Sequence, residues 1–314
     1  MEMPKLTISS SPHIRTSEDV SIVMRDVLIA LCPAAVAGVY FFRTGALLNI
    51  IAGLLGAVLA EYLTQKFMKK KVTIRDYSAA VTGLLLAFNV PASLPFWMTF
   101  IGAVFAIVIV KQLFGGLGHN FMNPALAARA LMLASWPVDM TGWVAPGADA
   151  VATATPLAII KGVEGASKAS MMDLFVGNVG GCIGETSAIL LIIGGVYLIY
   201  RGVITYVIPV YYIATVAILT FIFSGFDISM IGYNIFAGGL MLGAFFMATD
   251  YSSSPVSAKG QTIYAVGCGI LTSVIRYFGG YPEGVSYSIL LMNVATPLID
   301  KYVSPRVFGE VAKK

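Results

Sequence analysis

Charge is what this chain has least of. Lys, Arg, Asp and Glu supply 11% of its 314 residues, against about 25% in an ordinary soluble domain. A solvated globular enzyme is therefore excluded. Histidine is nearly missing, with only His13 and His119, and the three cysteines, Cys32, Cys182 and Cys268, are far apart. No Cys-x-x-Cys pair occurs, so a self-contained iron–sulfur or zinc site is not expected. A nucleotide-binding signature is missing too. Gly115-Gly-Leu-Gly118 follows an apolar run that reads as a helix rather than a strand, and no Lys-Ser/Thr pair closes it. The first 25 residues are polar and carry Glu2, Glu18 and Asp19, so no cleavable signal peptide is expected there.

What is abundant is apolar sequence. Hydrophobic residues reach 58% and mean hydropathy is +0.84. Several runs approach the roughly 20 residues a helix needs to cross a bilayer, which predicts an all-α polytopic membrane protein. About ten spans are expected, at 24–42, 46–63, 78–91, 96–113 and 123–136, then 184–200, 203–223, 235–250, 260–278 and 284–302. The two sets echo each other. Val39-Tyr40 recurs as Val196-Tyr197, Gly83 as Gly243, Phe114-Gly-Gly116 as Phe278-Gly-Gly280, and Met122-Asn123 as Met292-Asn293. Five spans is an odd number, so the second set must insert upside down, giving two inverted five-helix repeats. The expected layout is a cytoplasmic segment (1–23), a first repeat (24–136), an extracytoplasmic loop (137–183), a second repeat (184–303) and a cytoplasmic tail (304–314). Lys66, Lys69, Lys70, Lys71 and Arg75 set this orientation through their inside preference, which also accounts for the patch without nucleic acid. Arg43 and Arg276 run against the charge rule as single residues at span ends.

Several polar features interrupt the apolar pattern. The loop contains Asp149-Ala-Val-Ala-Thr-Ala154-Thr155-Pro-Leu, and a lipid-spanning scaffold needs no such segment. The same Ala-Thr-Pro-Leu recurs at Ala295–Leu298, inside the last span and without the upstream aspartate. In Gly115–Asn120 the glycines Gly116 and Gly118 allow close backbone approach to a ligand, with Asn120 beside them. Asn123-Pro124 reads as a helix cap followed by its first residue. Glu185 is expected in the first turn of the sixth span, where the helix dipole favours a carboxylate, and Asp250 at the broken end of the eighth. Ionisable groups at membrane depth are candidates for an ion path. Arg129, within the fifth span, requires a counter-charge or carbonyl partners.

The motifs together resemble the family of D subunits of Rnf-type electron-transport complexes, related to the B subunit of the sodium-pumping NADH:quinone oxidoreductase. The resemblance rests on Ser11-Pro-His13, Lys111–Gly118, Asn123-Pro-Ala125, Asp149–Leu157, Gly279–Gly284, Pro297–Asp300 and Ser304–Gly309. It departs from the family's favoured flavin-attachment residues at Ala150, where glycine is common, and at Ala152, where Ser or Thr is. The resemblance implies FMN held covalently on the Thr155 hydroxyl through a phosphoester, with Asp149 and Ala154 as motif residues. It also implies a second, noncovalent flavin (riboflavin), for which Gly116, Gly118, Asn120 and Asn123 are candidates. The implied activity is electron transfer between ferredoxin and NAD coupled to Na⁺ or H⁺ movement. Partners follow: membrane and peripheral subunits, among them a second FMN-bearing subunit and iron–sulfur subunits, and a flavin transferase for maturation. A secondary transporter without cofactor is the alternative from a different class.

Overall fold

A computed structural model describes residues 19–147, 155–157, 169–185, 187–280 and 283–303. Among them the regular elements are all helical, and an isolated β-bridge pairs Pro91 with Cys182. Helix α1 (Val20–Phe67) is capped by Asp19, which accepts from Val20 N at 2.8 Å. It covers 48 residues but bends at Arg43 (φ 52°, ψ −128°). The expected spans 24–42 and 46–63 thus meet at one residue rather than through a loop. After α2 (Ser78–Phe88), α3 (Phe96–Phe105) continues as a π-helical stretch, Ala106–Gln112. Helix α4 (Pro124–Ser135) starts as its sequence indicates. Asn123 Oδ1 accepts from Ala125 N and Leu126 N, and Pro124, which has no N–H to satisfy, takes the first position.

Two short helices, α5 (Pro137–Met140) and α6 (Met171–Val176), flank the polar segment. There follow α7 (Ala188–Tyr200), α8 (Val207–Phe223), α9 (Ile228–Phe236), α10 (Leu240–Leu242, prolonged by π-helical turns at Gly243–Met247), α11 (Ala258–Phe278) and α12 (Val285–Tyr302). The expected span 235–250 is not one helix. It is broken at 237–239, where Gly238 adopts φ 71°, and the segments on either side are bent by 65°. A break leaves carbonyls without helical partners. Arg276 takes two of them, donating to Asn234 O at 2.5 Å and Ala237 O at 3.2 Å.

Among the described residues α1 alone is long and apolar enough to cross a membrane unaided. The bent pair α9–α10 joins it if counted as one span, and α2, α3, α4, α7 and α8 are shorter apolar helices. Polarity is distributed inside out relative to a soluble protein. Val36, Tyr40, Ile218, Phe278 and Leu298 are more than half exposed, whereas Glu61, Lys111, Arg129, Arg276 and Asn293 are buried. Such an apolar exterior is an aggregation hazard in water but not in lipid. Close packing depends on missing side chains: where α1 crosses α2, a Cβ on Gly83 would collide with the Gly53 carbonyl oxygen. Between the two halves, α1 packs against α7 and α4 against α12.

Candidate functional site

Polar groups gather in two places. The first surrounds Thr155, which is only 6% exposed although it ends the polar segment. Its neighbours fix it. The Tyr233 hydroxyl of α9 donates to Pro156 O at 3.0 Å, and Leu157 packs with Leu174, Tyr233 and Ala237 in an apolar cluster of its own. Thr155, Gly180, Gly181, Glu185, Gly238 and Glu283 line a small pocket. Gly238 keeps it open, since a Cβ there would lie 3.4 Å from an Arg276 nitrogen and 2.5 Å from Leu157. Asp149 and Ala154 lie outside the described residues. The second Ala-Thr-Pro-Leu behaves differently: Thr296 is inside α12, and its hydroxyl is bonded to Ser253 O at 2.9 Å and Met292 O at 3.1 Å.

Glu185 requires a correction. It does not occupy the first turn of α7, which begins at Ala188. Residues 182–184 instead pair with the end of α2, through Ile183 N to Val90 O (3.0 Å) and Gly184 N to Phe88 O (2.9 Å). Gly184 sits against the Phe88 ring where no Cβ fits. This docking holds Glu185 ahead of the helix. Its carboxylate is buried with Oε1 lacking a hydrogen-bond partner.

Arg129 finds both kinds of partner. From α4 it donates Nε to Asn89 O at 3.0 Å and reaches the Ser286 hydroxyl and the Glu283 carboxylate, while Cys182 Sγ lies 3.7 Å away. One guanidinium thus ties the end of α2 to the start of α12. Glu283 is a residue that sequence reasoning did not single out. Arg276 lies in the last turn of α11, at the span end as its position suggests, but it is only 1% exposed and also holds Glu283 O at 3.1 Å. The usable signal is a cation just ahead of each Phe-Gly-Gly, Lys111 in the first half and Arg276 in the second.

The second place is a cavity between the halves. Val81, Leu85, Phe245 and Phe246 supply apolar walls, and Asn120, Asn123, Lys111 and Asp250 bring polar groups. Two of these walls are π-helical, a distortion common at functional sites. Asn123 also donates Nδ2 to Met247 O at 3.3 Å, and Asn120 donates to Met122 O at 3.2 Å. Asp250 accepts from the Ser252 and Ser253 hydroxyls, each at 3.0 Å. Lys111 is paired with Glu61 at 2.9 Å and donates to the Ser78 hydroxyl at 2.6 Å. Gly116 and Gly118 do not line the cavity. With Gly115 they turn the chain at φ 99°, 87° and 124° into the cap at Asn123.

An apolar exterior around buried charges, with two pockets that carry polar groups, defines a helical membrane protein. The chain belongs to the NQR2, RnfD, RnfE family, whose model matches residues 7–309. It is 54% identical to the D subunit of the Na⁺-translocating ferredoxin:NAD⁺ oxidoreductase complex of Acetobacterium woodii, over 97% of this chain and 95% of that protein. It is 51% identical to the D subunit of the proton-translocating complex of Clostridium ljungdahlii, over 96% of each. The D subunit of the ion-translocating oxidoreductase complex of Alcanivorax borkumensis is 36% identical over 97% of each.

Proposed function

We propose that this chain is a membrane subunit of an ion-translocating ferredoxin:NAD oxidoreductase that carries FMN in phosphoester linkage on Thr155. The observation behind this reading is the contrast between two identical tetrapeptides. The Thr296 hydroxyl is committed to the Ser253 and Met292 carbonyls, whereas Thr155 faces a glycine-lined pocket fastened by α9. The residues fit the phosphate end of the group, because Gly180, Gly181 and Gly238 leave room for tetrahedral oxygens beside the threonine. When bound, the flavin supplies one- and two-electron transfer. The chain's own part is to tether and orient it.

A second flavin, noncovalent, suits the cavity between the halves, whose mostly apolar walls carry a few convergent polar groups, as small-molecule sites do. Asn120 and Asn123 offer amides against an apolar wall, which matches a planar ring with a polar edge. Ferredoxin and NAD chemistry fall to partner subunits, among them iron–sulfur proteins and a second FMN carrier. We further read the helices as about ten spans in two inverted repeats, with both termini cytoplasmic and the Thr155 segment outside. Self-pairing of corresponding helices, α1 with α7 and α4 with α12, supports that reading, because a two-fold relation brings equivalent elements together. Glu185 and Asp250 are the candidates for an ion path.

The test is in-gel flavin fluorescence after denaturation, comparing the parent chain with Thr155→Ala, each made with an exported flavin transferase. Fluorescence in the parent alone is the expected result. Its absence from the parent would remove the covalent flavin, and its persistence in the variant would move the attachment site.

A further inference from the structure

We propose that Cys182, Glu185 and Glu283 form a binding site for one divalent transition-metal ion of borderline softness, of which Zn²⁺ is the type. One ligand atom from each residue lies within 4.8 Å of the other two, and all three residues are buried. Cys182 Sγ stands 3.9 Å from Glu283 Oε1. A tetrahedral zinc bound at about 2.3 Å from sulfur and 2.0–2.2 Å from oxygen sets such atoms roughly 3.5 Å apart. The site needs only a small inward movement to close on an ion.

The donors come from supports that are independently fixed. Cys182 is in the bridge to Pro91, Glu185 follows the segment docked on α2, and the Glu283 carbonyl is held by Arg276. Two further observations point to a ligand. Glu185 Oε1 is buried and unpartnered, and a buried carboxylate oxygen in that condition calls for a bound group. Arg129 occupies Glu283 Oε2 and leaves Oε1 toward the thiol, the arrangement by which an outer residue orients a ligating carboxylate.

Charge closes as well. A thiolate and two carboxylates carry −3, which a divalent ion and Arg129 cancel. Arg276 directs its guanidinium to three carbonyls and adds one positive charge at the pocket edge. Glu185 and Glu283 both line the Thr155 pocket, so the fourth coordination position opens there, to water or to a phosphate oxygen. Three protein ligands with one open position is the pattern of a reactive rather than a closed zinc site. The thiolate selects against Na⁺ and Mg²⁺, which prefer all-oxygen shells. The spacing Cys182-x-x-Glu185 is invisible to a search for paired cysteines.

The experiment uses the full-length chain in detergent, carrying Thr155→Ala so that its outcome does not depend on the tethered flavin. After chelator treatment, Co²⁺ is titrated in and followed by difference absorption. A thiolate-to-cobalt charge-transfer band saturating at one equivalent is expected. It should be displaced by one equivalent of Zn²⁺ and be indifferent to excess Na⁺ or Mg²⁺. Cys182→Ser and Glu185→Gln should lose it, whereas Cys32→Ser and Cys268→Ser should keep it. Glu185→Gln removes no hydrogen bond from Oε1, so a monodisperse, folded variant without the band isolates ligation from folding. A band surviving in Cys182→Ser, or none in the monodisperse parent, overturns the site.

Discussion

Replacing Arg129 with methionine should destabilise the protein by about 3–5 kcal/mol, the cost of stranding one member of a buried ion pair. Glu283 is 9% exposed and its carboxylate has the Arg129 guanidinium as its salt-bridge partner. Glu283→Gln strands the arginine instead and should cost a similar amount. In the double variant no charge is left uncompensated. What remains lost is the bond from Nε to Asn89 O and that to the Ser286 hydroxyl, at about 1 kcal/mol each. The double variant should therefore be less damaged than the two singles summed, with a coupling of about 4–8 kcal/mol, the two single costs less the two lost bonds. Reversible unfolding in mixed micelles with rising dodecyl sulfate, read by far-ultraviolet circular dichroism, gives the four free energies. Additivity within about 0.5 kcal/mol would refute the reasoning, for it would mean that the pair is solvated and does not join α4 to α12.

Three other perturbations test the interior. Gly83→Val drives a branched side chain into the Gly53 carbonyl and should cost at least 1–3 kcal/mol by overpacking, roughly, whereas Gly280→Ala, with open space around it, should stay within about 0.5 kcal/mol; thermal unfolding in one detergent compares them. Lys111→Met strands Glu61, which is 1% exposed, and should cost about 3–5 kcal/mol, with Glu61→Gln in the same chain restoring most of it in a micelle unfolding series. Asn123→Ala removes a helix cap worth about 0.5–2 kcal/mol and should also lower the noncovalent flavin extracted per mole of protein. Asn120→Ala should lower that flavin at unchanged melting temperature, and an unchanged flavin content in both would remove the cavity as its site.

Helix positions are legible in the sequence because apolar runs and caps are local signals. Asn123-Pro124 specifies the start of α4 outright, and the end of α2 before Asn89 follows from the polar residue and Pro91 behind it. The break in 235–250 lies earlier than hydropathy suggests because Ala237-Gly-Gly239 is itself apolar. What holds it open is Arg276, some forty residues away in sequence. Glu185 departs from its expected place for a similar reason. A carboxylate before an apolar run looks like a helix start, and only tertiary pairing with α2 keeps it out of α7. The Thr155 motif is readable through resemblance. Glu283 and Cys182 are not, because their relevance arises from Arg129, which meets them across the fold.

The two pockets differ in charge, and that difference bears on which flavin each should hold. At the cavity between the halves, Lys111 is already paired with Glu61, and the Asp250 carboxyl accepts from the Ser252 and Ser253 hydroxyls. A phosphorylated ligand would bring a charge there with no unpaired lysine or arginine among the lining residues to meet it, whereas riboflavin, which has no phosphate, brings no such charge. Around Thr155 the cations Arg129 and Arg276 offset Glu185 and Glu283, and the inferred Zn²⁺ with a Cys182 thiolate adds one net positive charge. A phosphodiester carries one negative charge, so it completes neutrality on that side. A cation precedes each Phe-Gly-Gly, but Lys111 is paired with the Glu61 carboxylate whereas Arg276 donates to backbone carbonyls. This difference in charge supports the proposal that the phosphate-bearing flavin is tethered at Thr155 and not in the other cavity.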